Sequence, residues 1–241
     1  MNDLSLFNSN QKKRRKIILH LCADLGSDSY PYQCDENYRV ICIGKSYGVE
    51  NLTKESLLRD FGVSEIQGII ANPVCTDLSR ARAGGKPKDI ESGMFLVNHC
   101  LRIIDELKPQ WWSLENPASS ALRQILGKPR LVYQPWEYGS PWTKRTALWG
   151  NFTIPEKKYS NFDEVPNKIP QMYVRTRGKW AAMQSNIPSL AFQWVKKAFQ
   201  HKGVIEYIPE FAPFIESVET NADLRSLCSQ CFAKAFKEVN K

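Results

Sequence analysis

Gly68-Ile69-Ile70-Ala71-Asn72-Pro73-Val74-Cys75-Thr76-Asp77-Leu78-Ser79 holds an apolar run too short for a helix, closed by Asn-Pro, with a cysteine two residues further on. β-Branched residues followed abruptly by a polar loop predict a buried strand of an α/β sheet, ending at the sheet's carboxyl edge. Ligands of open α/β sheets gather at that edge, so a thiol just past the strand end is placed for chemistry. Taken alone, Cys75 reads first as one more small buried hydrophobe. Only other motifs can overturn that.

On either side of this stretch, strand and helix signals alternate. Residues 17–22 (Ile-Ile-Leu-His-Leu-Cys) predict a first strand, and the polar, glycine-containing turn 23–32 follows it. A second strand is expected at 38–44, and a short helix at 53–61 with Thr53 as its cap. Residues 89–107 carry the clearest helix signal: Asp89 caps it, and Met94, Val97, Leu101, Ile104 and Leu107 recur at helical spacing. Trp111-Trp112-Ser113-Leu114-Glu115-Asn116-Pro117 reads as another strand that ends in a polar dipeptide and a proline. This alternation implies an α/β fold with a mainly parallel sheet and helices on both faces.

After Gly127 the texture changes. Residues 130–138 and 148–152 read as strands or extended chain, with the loop Gly139-Ser140-Pro141-Trp142-Thr143-Lys144-Arg145-Thr146 between them. Residues 151–223 are proline-rich, with a helical patch at 190–200, and predict a small irregular region. Residues 229–241 predict a short amphipathic helix with Phe232, Ala235, Phe236 and Val239 on one face.

Bulk composition narrows the classes. The 241 residues suffice for one sizeable core, and no apolar stretch is long enough to span a membrane. Seven scattered cysteines argue against a disulfide scaffold and for a reducing compartment. The basic run Gln11-Lys12-Lys13-Arg14-Arg15-Lys16 leads straight into a strand, so no secretory signal is expected and the cytoplasm is the expected location. A net charge of +8 favours a polyanionic partner. Zinc binding by Cys228 and Cys231 is not expected, because no second ligand pair lies at suitable spacing.

The chemistry rests on two strand ends. In a parallel sheet the carboxyl ends converge, so Cys75 and Glu115 are expected to face one pocket. A thiolate adds to an electron-poor ring carbon while a neighbouring acid gives a proton to a ring nitrogen.

In their order these motifs resemble a DNA cytosine-5 methyltransferase, in the compact form found in bacteriophage and prophage genomes. Leu21, Cys22, Ala23, Asp24, Leu25, Gly26 and Ser27 stand where that family has its cofactor turn. Asn72-Pro73-Val74-Cys75 stands at its Pro-Pro-Cys motif, and Leu114-Glu115-Asn116-Pro117 at its Glu-Asn motif. Residues 134–150 are similar to the compact family's next stretch, and Arg225-Ser226 with residues 232–236 to its closing motif.

The resemblance implies a Rossmann-like methyltransferase sheet and S-adenosyl-L-methionine as cofactor. Cys75 would attack C6 of a cytosine flipped out of double-stranded DNA, and Glu115 would protonate N3. Asn116 would position Glu115 or the cysteine loop, and Arg145 would contact the pyrimidine or the backbone. Gly44, Lys45, Glu50, Asn72 and Pro73 would complete the cofactor site. Ser79, Arg80, Arg82, Lys86 and Lys144 would meet the DNA backbone, with Gly84-Gly85 letting the catalytic loop close. Residues 1–150 with 224–241 would form the catalytic domain, 151–223 a small covering or substrate-recognition region, and the protein would act as a monomer in a bacterial or phage-infected cell.

Several positions depart from the family pattern. Asp24 and Ser27 stand where glycines are usual, and a carboxylate at 24 repels the cofactor's own unless it turns away. Gly44-Lys45 replaces the acid expected for the ribose, leaving Glu50 as the nearest carboxylate, and Val74 replaces the second proline. These departures keep two other readings open: a non-catalytic methyltransferase-like protein that binds DNA or protein, and an enzyme that modifies cytosine at the nucleotide level. An amino-methyltransferase fits less well, since Cys75 occupies the place of its stacking aromatic.

Overall fold

The computed structural model describes residues 14–79, 89–166, 173–176, 179–182, 208–219 and 221–241. Its centre is a six-stranded sheet made of β1 (Lys16–Leu21), β2 (Tyr38–Ile43), β3 (Gly68–Ala71), β4 (Trp111–Pro117), β5 (Leu131–Tyr133) and β6 (Thr146–Asn151). The strand order is β2-β1-β3-β4-β6-β5. The pairs β1–β2, β1–β3 and β3–β4 are parallel, while β6 runs antiparallel to both β4 and β5. The mostly parallel sheet expected from the alternating signals is present.

Parallel neighbours need crossovers, and the first three of the α-helices lie in them. Among the described residues the α-helices are α1 (Tyr30–Gln33), α2 (Lys54–Phe61), α3 (Ile90–Leu107), α4 (Leu122–Ile125), α5 (Asn221–Ser226) and α6 (Gln230–Val239). Thr53 and Asp89 cap α2 and α3 as expected: Thr53 Oγ1 accepts from Ser56 N at 3.1 Å, and Asp89 Oδ1 accepts from Ser92 N at 3.0 Å. A small antiparallel pair, β7 (Tyr173–Thr176) with β8 (Lys179–Ala182), lies within the stretch expected to be irregular. The helical patch at 190–200 lies outside the described residues. No described helix is long and apolar enough to cross a membrane.

Alternation along the strands divides the core between the two faces of the sheet. Leu19, Leu21, Ile69, Ala71 and Leu114 pack with Val97, Cys100, Ile103 and Ile104 of α3. Ile18, Ile70, Trp111 and Leu148 pack with Tyr32 of α1 and Phe232, Ala233 and Phe236 of α6. The apolar stripe of α6 is therefore rotated from the one its spacing suggests. Val239 stays 40 % exposed, and Ala233 takes the buried place. The ends of α6 set this rotation: Ser229 Oγ accepts from Phe232 N at 3.0 Å, and Asn240 exchanges hydrogen bonds with the Thr153 backbone at 2.7 and 2.9 Å.

The same end of the chain is sewn onto the first turn. Cys228 N donates to Ser27 Oγ at 3.0 Å and Gln230 Nε2 to Ser27 O at 2.8 Å, while Tyr32 OH donates to Asn240 O at 2.7 Å. Glu210, from the segment grouped by sequence with the covering region, accepts from Trp142 Nε1 at 2.7 Å, Ser140 Oγ at 2.9 Å and Gln230 N at 3.0 Å. Phe211 is fully buried and packs on Trp142. Residues 208–218 thus join the body that carries the sheet.

One position in β3 admits no side chain. Gly68 pairs with Trp111 across β3–β4, and a Cβ there would overlap the indole ring. That ring cannot step aside, being stacked on Tyr32 and edge-on to Phe236. Gly68→Ala is expected to cost about 2 kcal/mol, the usual penalty of overpacking. A lowered urea midpoint with an unchanged slope would register it.

Candidate active site

Two strand ends and one loop build the site. Asn72 N donates to Leu21 O at 3.0 Å, which carries the β1–β3 ladder one residue past β3. Asn116, fully buried at the end of β4, donates from Nδ2 to Pro73 O at 3.1 Å. The loop then turns on Cys75, whose carbonyl accepts from Leu78 N at 3.1 Å and Ser79 N at 2.7 Å. Leu78 O accepts from Ala121 N at 2.8 Å, tying the far side of the turn to the start of α4. Cys75 is thus held between anchored neighbours, half-buried, with Val74 exposed beside it.

Glu115 sits one residue before Asn116, paired with Leu148 of β6. Its Oε1 is buried with no hydrogen-bond partner among the described residues. Burial pushes its carboxyl up to about 7, with Lys144 opposing the rise and the Asp28 carboxylate adding to it. Burial also pushes the Cys75 thiol up, and the next cause is the Glu115 carboxylate itself; Lys144 and Arg225 oppose both. Thiol and acid therefore share one electrostatic environment.

The remaining expected residues fall in different places. Lys144, expected at phosphates, donates from Nζ to Ser226 O and Leu227 O, each at 3.1 Å. Arg145 is exposed, and its carbonyl accepts from Ala118 N at 3.0 Å. Ser79 is buried. Arg80, Arg82 and Lys86 lie outside the described residues, as do Gly84 and Gly85. Sequence reasoning missed Asp28 as a member of the site. It sits one residue past the cofactor turn, and nothing in its spacing signals that the turn folds back over β4. Arg225 was legible only as part of the closing motif.

The turn after β1 is irregular in a way that favours a close ligand. Cys22 takes a left-handed conformation (φ 54°), as does Gly26 (φ 68°). Ala23 N donates to Ile43 O at 3.1 Å, joining the ends of β1 and β2, and a Cβ at Gly44 would come to 3.2 Å from Ala23 O. Asp24 and Lys45 are exposed, and Leu25 is half-buried. Ser27 is buried and faces the C-terminal segment through the bonds above. Exposed Glu50 lines a cavity of about 710 Å³ together with Val74, Asp77, Asp89, Glu91 and Phe95. Cys22 and Gly44 are not among the residues that line that cavity, so its carboxylates, Glu50 foremost, are the groups that fit a ligand carrying hydroxyls and a positive charge. Among the described residues no group of three or more His, Cys, Asp or Glu is placed to hold a metal.

No family model matches the chain, and no curated protein matches it. Among solved structures it is similar to a protein described as a DNA modification methyltransferase encoded within a prophage (E. coli). That likeness has 19 % identity and a TM-score of 0.41 over 56 % of this chain and 46 % of the other. The chain thus spans about half the length of that structure.

The raised carboxyl has a thermodynamic signature. Folding moves Glu115 from an ordinary 4.5 to about 7, so between those values the folded chain keeps a proton that the unfolded chain has lost. This contribution to stability is full below pH 4.5 and is lost as pH rises through about 7, some 3 kcal/mol in all. Glu115→Gln is expected to lack that fall and to be more stable than wild type at pH 8. Urea titrations of both proteins from pH 4 to 8 measure it.

Proposed function

We propose that the protein methylates C5 of cytosine in double-stranded DNA, using S-adenosyl-L-methionine. The observation that supports this best is the Cys75–Glu115 pair: a half-buried acid with its Oε1 enclosed, poised near neutrality and acting electrostatically on a half-buried thiol. Few reactions want a nucleophile and a proton donor together on one ring. Addition across a pyrimidine 5,6-bond does.

Protonation of Glu115 removes the anion that most strongly holds the thiol up after burial, while Lys144 and Arg225 continue to favour thiolate. The Cys75 thiolate, its proton released to solvent, then bonds through Sγ to C6, and Glu115 gives its proton to N3 as ring electrons move onto C5. Asn116 keeps the cysteine loop at a fixed distance from β4 through Pro73 O. The methyl donor, when bound, supplies an electrophilic methyl group to that carbon; Leu21–Ser27, Gly44 and Glu50 would hold it. Loss of the C5 proton to solvent base expels the Cys75 thiolate from C6, and N3 returns its proton to Glu115, so ring, thiolate and acid are all restored. The target must leave the stack to meet Cys75, and a net charge of +8 suits a phosphodiester partner.

The test is a covalent adduct. With duplex containing 5-fluorocytosine and the methyl donor, wild type is expected to form a denaturant-stable complex, because fluorine blocks the final elimination. Cys75→Ala is expected to form none while keeping its circular dichroism spectrum. Calorimetric cofactor binding with no adduct on any duplex would sink the covalent route. Duplex binding without cofactor binding would favour the non-catalytic reading, and turnover of free deoxycytidine nucleotides alone the nucleotide-level one.

A further inference from the structure

We infer that Asn72 is a specificity-determining residue that recognises the exocyclic amine of the target base, and so distinguishes an amino-pyrimidine from one lacking that group. The inference rests on the cytosine-methylating reading and adds to it a contact from the side chain of this particular asparagine.

Register carries the argument. Ala71 pairs with Leu114 across the parallel β3–β4 ladder, so the next residues, Asn72 and Glu115, stand side by side. Neighbours in register point to one face of a sheet. The preceding pair obeys this rule, Ala71 and Leu114 lying in one core cluster. Asn72 Oδ1 and Glu115 Oε1 are both buried and both without a hydrogen-bond partner among the described residues. The backbone does not account for Asn72, since its N–H is already spent on Leu21 O.

Two adjacent buried acceptors left empty are costly, and buried polar atoms in folded proteins are nearly always paired. What they lack is hydrogen donors. Cytosine protonated at N3 offers three hydrogens on one edge, one on N3 and two on the 4-amino group. The Glu115 carboxylate with its two oxygens and Asn72 with its one offer three acceptors. A 4-oxo pyrimidine would instead bring an acceptor against acceptors, leaving Asn72 unpaired and repelled.

Chemically synthesised duplexes of randomised sequence provide the test, one carrying 5-fluorocytosine and the other 5-fluoro-2-pyrimidinone, which lacks the 4-amino group. The readout is the ratio of the concentrations giving half-maximal adduct formation on the two; their different intrinsic reactivities cancel when enzymes are compared. Asn72→Ala is expected to weaken use of the cytosine duplex about tenfold and leave the pyrimidinone duplex unchanged, as expected for loss of one hydrogen bond to a charged partner. Asn72→Asp, which keeps an acceptor, is expected to retain the wild-type ratio. The resemblance counts Asn72 among the cofactor residues; a side chain spent on the base predicts instead that Asn72→Ala keeps its cofactor affinity, read by calorimetry. Equal loss on both duplexes, or a weakened cofactor with an unchanged ratio, would overturn the assignment while leaving the proposed reaction standing. A wild type that reacts with neither duplex would overturn both.

Discussion

The register of β3 against β4 is the constraint on which the site depends. Gly68 lies opposite Trp111, and three residues later Ala71 lies opposite Leu114. Because the strands are parallel, their ends arrive level, and the residues that follow enter one space from neighbouring strands. A slip of one residue would turn Glu115 toward the face occupied by α3 and put a core leucine in its place. The indole of Trp111 fixes the register at the other end by filling the space above Gly68, held there by Tyr32 and Phe236. Packing near the amino ends of these strands therefore sets chemistry at their carboxyl ends.

The C-terminal segment supplies a second layer of control. It reaches the first turn through Ser27, and the β5–β6 loop through the Lys144 ammonium on the Ser226 and Leu227 carbonyls. Lys144 is thereby held where its charge restrains both Glu115 and Cys75. Glu210 extends the same arrangement, its carboxylate accepting from the first N–H of α6 as well as from Ser140 and Trp142. Segments far apart in sequence are tied together here, and the electrostatics of the thiol depend on a segment about 150 residues downstream.

The elements with strong local signals were legible in the sequence. Capped helices α2 and α3 and the β-branched strands announce themselves, and so does the edge at which Cys75 and Glu115 sit. The turn of α6 was not legible, because Ala233 and Ala235 are interchangeable to any periodicity argument and only the bonds of Ser229 and Asn240 choose between them. Nor was the short α1, whose Tyr-Pro-Tyr reads as a turn until Tyr32 is seen reaching Asn240 O. In the site, Lys144 and Arg145 were adjacent cations, the first expected at phosphates and the second at the pyrimidine or the backbone. Tertiary contacts alone separate an ammonium held by two carbonyls from an exposed guanidinium. The proximity of Asp28 to Glu115 follows from the path of a loop, which local pattern does not encode.

The Glu115-Asn116 dipeptide shows how one strand serves both faces of a sheet. Glu115 pairs with Leu148, which belongs to the cluster under α6, while Asn116 pairs with Ala147, which belongs to the cluster under α3. Consecutive side chains therefore cannot compete for the same space. One face receives an acid whose burial raises it to about 7, a cost to stability that makes a proton available near neutrality. The other receives an amide that spends a hydrogen bond on Pro73 O and so fixes the loop bearing the nucleophile. A glutamine at 115 would relieve the cost and lose the proton; an aliphatic residue at 116 would keep the packing and release the loop. Acid and amide in that order let a single strand end supply the proton and hold the thiol that needs it.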